Sequence, residues 1–519
     1  MSGPESDHQQ RRLSWILPGS AWVLCAIQVV VLVPNHDNAW LLEIAARMLN
    51  GGKYYRDFYE LNPPLYPILL WPVNLLSRAS GIAPYTVFIL WVCALLYFAA
   101  RQFLACLPVI APDSTPATRL LLALYAQACL FLLPGYDFGQ RDHVAICLLI
   151  PLLCYFITEQ SAGSRPRQAV LAAVCAALGL MIKPFLAGVV LLILAVRVAV
   201  TRQARDLLWV IVLPGVAVAA GYVVLVATVF PEYIRMAHIA GDAYSMYASH
   251  RLLPQWSVPA LLLTIAAALA NEYIPSSARR GVRYLVAATA GALLSDVLQH
   301  KGFTYHLVPV QIMLGLTLAP IATALLQRRA SSLAWAPHAL LAVLALAVCT
   351  EEARSLHGPE KTPLYYGRFA ARLAELNAGH RLFFFSTSLE PEFPFNLYYD
   401  FTPSSRFPCL WTLPAALARS GAAGSQREAR ELISLVEEDF RRWQPTALLV
   451  DVSPNKQALA QPFEFLPWFQ QDPGMRRLLD QYQLAGTSSN GLRDDRRFAI
   501  YVRKASAAVP AASAALARN

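Results

Sequence analysis

Charge is scarce in this chain: Asp, Glu, Lys and Arg make up 15% of its 519 residues, against 56% hydrophobic residues. Soluble globular domains usually carry about a quarter charged residues, so a single soluble domain is excluded. The apolar content equally excludes an intrinsically disordered chain. No HExxH, Walker-type loop, GxSxG elbow or dinucleotide fingerprint occurs, which removes the chemistries those motifs carry. The nine cysteines form no CxxC pair and show no metal-ligand spacing. Seven of them (Cys25, Cys93, Cys106, Cys129, Cys147, Cys154, Cys175) lie in or beside apolar stretches, as small hydrophobes do. Cys349 and Cys409 are the one pair placed to meet outside a membrane. Lysine is rarer still, and before Thr350 only Lys53, Lys183 and Lys301 occur.

Apolar blocks fill the space these absences leave. They recur from Trp15 to Cys349, many of them near the length of about 20 residues that a bilayer-spanning helix needs. The first, residues 15–33, follows Arg11 and Arg12, lacks a small-residue cleavage site and reads as a first span rather than a cleaved signal. Ten more runs follow at roughly 84–104, 120–134, 144–158, 169–183, 184–200, 207–230, 257–275, 284–299, 307–327 and 333–349. Eleven alternating crossings place fourteen of the twenty arginines before Thr350 on one side, as the positive-inside rule expects of the cytoplasm. The segment 65–77, apolar but short and broken by Pro67 and Pro72, reads as re-entrant or interfacial. The expected architecture is a polytopic α-helical membrane protein of about eleven transmembrane helices in the inner membrane, with its N-terminus cytoplasmic.

The net charge of +10 does not point to nucleic acid. Eighteen of the thirty-three acidic residues follow Thr350, so the basic excess belongs to the membrane part and describes topology. Residues 1–349 form that part, with a long first outer loop at 34–83. Residues 350–504 change to mixed polar and charged composition. There HRLFFFSTS, TALLVDVS and RFAIYVRK read as buried strands and 425–442 as a helix, a soluble extracytoplasmic α/β domain. The Ala-rich residues 505–519 read as a disordered tail.

The chemistry-bearing residues gather in the outer loops. Asp37 directly follows the first span and opens an amphipathic stretch, residues 38–50, that Gly51 and Gly52 end. Two readings stand side by side, a helix N-cap and a carboxylate base at the membrane surface. KYYRDFYELNPPLYP sets Asp57 and Glu60 among four tyrosines, a solvated loop or a surface for sugar hydroxyls. GYDFGQRDH (135–143) brings Asp137, Arg141 and Asp142. Lys183 lies between two spans, and HKGFTYH (300–306) brings His300, Lys301, Tyr305 and His306. All three lysines face outward, against the expected bias. Each cation alone reads as a snorkelling anchor, but their convergence on the outer face points to function, with Asp142–Arg141 and Asp296–Lys301 as the alternative structural ion pairs. His238 and His250, in a 231–256 loop, lack ligand spacing.

Taken together, Asp37 after the first span, the Gly-terminated helix, YRDFYELNPPL, YDFGQRDH, GLMIKPF and QHKGFTYHLVP resemble the GT-C superfamily of membrane glycosyltransferases. Protein O-mannosyltransferases and the lipid A aminoarabinose transferase belong to it. The resemblance covers the chain to about residue 330. It implies a polyprenyl-phosphate-linked sugar as donor, Asp37 as catalytic base, Asp137 or Asp142 as the second-loop acid, and a lipid phosphate met by Arg141, Lys183, Lys301 and a histidine. Asp57, Glu60, Tyr305, His300 and His306 complete the expected substrate contacts. No cofactor is required; a divalent metal is compatible, with no ligand assigned. The acceptor is an envelope glycan, lipid or protein. Asn38 stands where the O-mannosyltransferases have a second acid, and Asn62 where relatives often carry Lys, which leaves the acceptor class open. The competing reading is a flippase or transporter of lipid-linked sugars.

Overall fold

The computed structural model describes residues 4–162, 166–202, 207–244, 247, 257–329, 335–356, 363–418, 425–459, 461–489 and 497–504. The expected tail at 505–519 and His250 lie outside them. Among the described residues, six helices are long and apolar enough to cross a membrane, and two bent pairs bring the number to eight. Three further apolar helices, Pro116–Leu132, Pro166–Ile182 and Ser257–Tyr273, are shorter. This is a multi-pass helical protein.

Proline and glycine set the helix boundaries. Thr115 caps Pro116–Leu132, its Oγ1 accepting from the Thr118 N–H at 3.2 Å, with Pro at the first helical position. The segment expected to be interfacial forms two short helices, Leu65–Leu69 and Trp71–Ser80. At a rise of about 1.5 Å per residue neither can span a bilayer. The first apolar helix and His36–Leu49 meet at 93°. Pro34 disfavours helical geometry at the residue before it, so the chain turns where the apolar run ends. Pro231 marks a second such bend, of 94°, and Pro231–Tyr244 is helical where a loop was expected.

Burial separates central from peripheral helices. Arg141–Glu159 has 83% of its apolar window buried, whereas Ala336–Ser355 has 22% and shows Val343 and Leu346 to the outside. The ends of the central helix therefore lie amid the bundle. Helices Ala187–Thr201 and Ser276–Gln299 cross at Gly188 and Gly291, where a Cβ on Gly291 would come within 2.4 Å of Val189 Cα. Close approach of small residues is a common mode of helix association in membranes. Here it draws together the segments that carry Lys183 and Lys301.

The chain forms two compact units. The first contains the apolar helices and runs to Gly358, so the expected boundary at 349/350 falls inside helix Ala336–Ser355. The second comprises Gly52–Leu61, His238–Met246 and the chain from Pro359 onward. Its five-stranded sheet has the order β2-β1-β3-β5-β4, from β1 (Arg381–Phe385), β2 (Thr402–Pro403), β3 (Ala447–Asp451), β4 (Tyr482–Ser489) and β5 (Arg497–Arg503). β1 is parallel to β2 and β3, whereas β5 is antiparallel to β3 and β4. β3 is buried at every position, the pattern of a central strand covered on both faces. Phe369, Phe384, Phe395, Phe498 and Ile500 build the core on one side of the sheet. All nine cysteines are free thiols, so Cys349 and Cys409 are not bridged.

Candidate active site

The first helix of the long loop starts at His36, and its N-cap is Asn35, not Asp37. Asn35 Oδ1 accepts the Asp37 backbone N–H at 2.9 Å. Capping is thus performed two residues upstream, and the Asp37 carboxylate is not spent on the helix end. It accepts instead from Gln140 Nε2 at 3.0 Å and lies 3.9 Å from His36 Nε2. Its side chain retains 19% exposure, so it is held and still reachable.

Gln140 belongs to a buried amide relay that joins the two loops. Its Nε2 also donates to Asn35 Oδ1 at 2.9 Å, and Asn35 Nδ2 donates to Asp137 Oδ1 and the Tyr136 carbonyl, both at 3.2 Å. Asp137 Oδ2 accepts from Thr304 Oγ1 at 2.9 Å, which fastens the 300–306 turn to the same cluster. Asp137 thus positions both neighbouring loops. His143 locks the second loop from below: Nδ1 accepts the Gly139 N–H at 3.0 Å, while Nε2 lies 3.0 Å from the Leu130 carbonyl. One ring nitrogen accepts and the other donates, which requires a single neutral tautomer. Tyr66 donates its hydroxyl to the Gly139 carbonyl, and Ser355 Oγ accepts the Tyr136 N–H at 3.2 Å.

The cations collect beside this relay. Arg141 and Asp142 open the central helix, whose N-terminus favours an anion. Asp142 Oδ2 meets Lys183 Nζ at 2.8 Å, and both groups are largely buried. The Lys183 ammonium also lies 5.4 Å from the centre of the Tyr305 ring, within cation–π range. Asp37 is close enough to act electrostatically on Lys183, as Lys183 is on Lys301. Burial, reinforced by Lys183, pushes the Lys301 ammonium down to about 7. His306 is buried against Phe303 and Tyr305, within electrostatic range of Arg141, Lys183 and Lys301. His300 closes Ser276–Gln299 in the left-handed conformation. Asp296 Oδ2 accepts from Ser257 Oγ at 2.6 Å.

Nine of the residues read from the sequence therefore lie in the first unit around these loops: Asp37, Asp137, Arg141, Asp142, Lys183, His300, Lys301, Tyr305 and His306. Asp57 and Glu60 belong to the second unit. There the Asp57 carboxylate accepts the Lys53 N–H at 2.7 Å and pairs with Arg442 and Arg56. Burial raises its pKa, but these partners outweigh it and hold the carboxyl below its ordinary range. Asn35, Gln140 and His143 were missed. Asn35 had a local signal, an Asn just before an amphipathic run; the other two had none. No three His, Cys, Asp or Glu side chains converge as a metal site among the described residues. The carboxylates present are committed to amides, a hydroxyl or Lys183. This donor set does not fit a divalent metal.

The chain thus joins an array of apolar helices, with an acid and cation cluster in its loops, to a mixed-sheet unit. Among solved structures the chain is similar to ArnT from Cupriavidus metallidurans. The form bound to undecaprenyl phosphate aligns with a TM-score of 0.56 at 14% identity, covering 96% of this chain and 99% of that one. The apo form gives 0.54 at 13% identity, covering 94% and 97%. The likeness is one of fold over nearly the whole length. No protein-family model matches the chain, and no curated protein matches it by sequence.

Proposed function

We propose that this chain is an inverting glycosyltransferase. It moves a sugar from a polyprenyl-phosphate carrier to an acceptor hydroxyl on the outer face of the inner membrane. The observation that carries this reading is a single site holding a reachable, amide-oriented carboxylate, Asp37, within electrostatic range of a cation group. That an ArnT of the same fold binds undecaprenyl phosphate supports a lipid phosphate as the anion these cations receive.

The chemistry follows from the geometry. Asp37 takes the proton of the acceptor hydroxyl as general base. The acceptor oxygen forms a bond to the anomeric carbon as the bond from that carbon to the phosphate oxygen breaks. The leaving phosphate keeps the electron pair, and Arg141, Lys183 and Lys301 stabilise the charge it gains. One displacement inverts the anomeric configuration. A transporter of lipid-linked sugars would place its polar groups near the bilayer midplane between internal repeats; here the ionisable groups stand in loops and at helix ends.

Two experiments address this reading. Purified protein in detergent should consume a polyprenyl-phosphate sugar and release the polyprenyl phosphate when supplied with envelope extract. Movement of the lipid across vesicles with no turnover would assign it to transport instead. The orientation follows from eleven crossings with a cytoplasmic N-terminus. A reporter fused after residue 202 should be active only in the cytoplasm, and one fused after residue 504 only outside. Activity of both on one side would overturn the outward-facing site.

A further inference from the structure

We infer that the second unit carries a binding site for a neutral sugar, in a cleft walled by Tyr59, Phe407 and the first half of helix Ser425–Trp443. The inference stands on that unit alone and does not rest on the transfer reading. The cleft holds about 450 Å³ of free space counted out to its open mouth, within the range of about 300–1,000 Å³ usual for small-ligand sites. Every residue that lines it belongs to the second unit, because residues 52–61 and 238–246 are part of that unit together with the chain from Pro359 onward. The helix supplies Glu428, Glu431, Leu432 and Leu435, the i, i+3, i+4, i+7 spacing of a single face. That face is acidic at its N-terminal end and apolar at the other. The rings of Tyr59 and Phe407 lie 4.9 Å apart, and Trp411 backs Tyr59 at 5.9 Å with Tyr244 edge-on against it.

The walls are fixed before any ligand arrives. Arg406, 1% exposed, donates from Nε to Asp439 Oδ1 and from Nη2 to Glu438 Oε2, both at 2.7 Å. Its Nη1 donates to the Tyr55 carbonyl at 2.9 Å, and its own carbonyl accepts the Tyr59 N–H at 2.7 Å. Tyr55 in turn donates its hydroxyl to Glu431 Oε1 at 2.9 Å, which aims that carboxylate. Tyr59 is 4% exposed. Burial, then Glu431, raise its phenol above the ordinary value, so it stays protonated and donates. Among the described residues, neither the Tyr59 hydroxyl nor that of Thr412, also in the lining, makes a hydrogen bond. These groups define the ligand. Ionised carboxylates only accept, whereas Tyr and Thr hydroxyls both donate and accept. An ammonium has donors and no acceptor, and would leave both hydroxyls with nothing to donate to. An anion would meet Glu428 and Glu431, with no Lys or Arg among the described lining residues. A sugar ring brings hydroxyls that donate and accept, and a C–H face that packs on aromatic and aliphatic side chains. Asp57, expected to meet sugar hydroxyls, is occupied by Arg442 and Arg56; Tyr59, two residues on, is placed to do so.

The test uses full-length protein in a detergent without a sugar head group, titrated with maltotriose, mannotriose and triacetylchitotriose. Saturation-transfer NMR should carry magnetisation from protein aromatic protons to the C–H protons of at least one of them. Tyr59→Phe removes a hydroxyl and keeps the ring, and should weaken that binding about 2- to 10-fold. Glu431→Gln replaces a charge-assisted bond by a neutral one and should weaken it by a similar factor. Both variants should melt as wild type does. Ala416→Trp, which fills the cleft, should abolish binding; if the bulkier side chain unfolds the unit, the first two variants decide. Trigalacturonate should bind less tightly than the neutral trisaccharides, and choline should not displace them. No transfer to any of the three at millimolar concentration, or wild-type affinity in both Tyr59→Phe and Glu431→Gln, overturns the inference. So does trigalacturonate binding as tightly as the neutral trisaccharides. Displacement by choline also overturns it, by making the cleft a cation pocket, as does binding retained in a folded Ala416→Trp, which would put the sugar elsewhere on the protein.

Discussion

Asp37→Asn should leave a folded protein whose sugar transfer has fallen about 10²–10⁴-fold, the contribution of a general base. The structure makes this substitution unusually clean. The helix cap is Asn35, so the change does not touch it. An Asn at 37 still offers an oxygen to Gln140 Nε2, which now donates to the carboxylate at 3.0 Å. What is removed is the negative charge and with it the capacity to take a proton. Initial rates on a polyprenyl-phosphate sugar, set beside a thermal melt, make the comparison. Retention of most of the activity would move the role to Asp137 or Asp142. Neither is as free to perform it, because Asp137 receives Asn35 and Thr304 and Asp142 receives Lys183.

Lys183→Ala should do two separable things. It leaves Asp142 buried without the ammonium it meets at 2.8 Å, and removing one partner of a buried pair costs about 3–5 kcal/mol. It also removes one cation from the phosphate site, where a hydrogen bond to a charged group is worth about 1.5–3 kcal/mol, a loss of about 10- to 100-fold in donor affinity. Adding Asp142→Asn should restore much of the stability and none of the affinity. Recovery of both would reduce Lys183 to a structural partner. The same site predicts a pH dependence. Lys301, held down to about 7, is charged below that value and neutral above it. A bound phosphate favours the charged form, so donor affinity should fall as pH rises through about 7, and Lys301→Ala should flatten the profile. A wild-type profile in Lys301→Ala would remove that lysine from the phosphate site.

What the sequence disclosed and what it hid divide along a physical line. The apolar blocks, the Gly-ended helix after the first span and strands β1, β3 and β5 are written locally, in hydropathy and periodicity. The lysines were legible because Lys183 and Lys301 break the usual distribution of charge across a membrane. Partners distant in sequence were not. Asn35 and Gln140 stand 105 positions apart, and nothing periodic connects them. Nor could adjacency show that Asp142 meets Lys183, 41 positions further on. Asp57 and Glu60 were read with Asp37 because one loop carries them, whereas residues 52–61 belong to the other unit. Strand β4 escaped because YQLAGTSS is small and polar, with no alternating apolar face.

The 93° bend between Trp15–Val31 and His36–Leu49 makes the first apolar helix a ruler. Its apolar part, Trp15–Val31, is about 25 Å long at the rise of an α-helix and ends shortly before Asp37, so that span sets the height of the carboxylate in a bilayer. A lipid phosphate finds its own level at the headgroup plane, whatever the length of the tail beneath it. In the proposed reaction, base and anion are brought to one height by two unrelated measures, the span of a helix and the thickness of the membrane. Matching the two is a requirement on the lipid environment as much as on the protein.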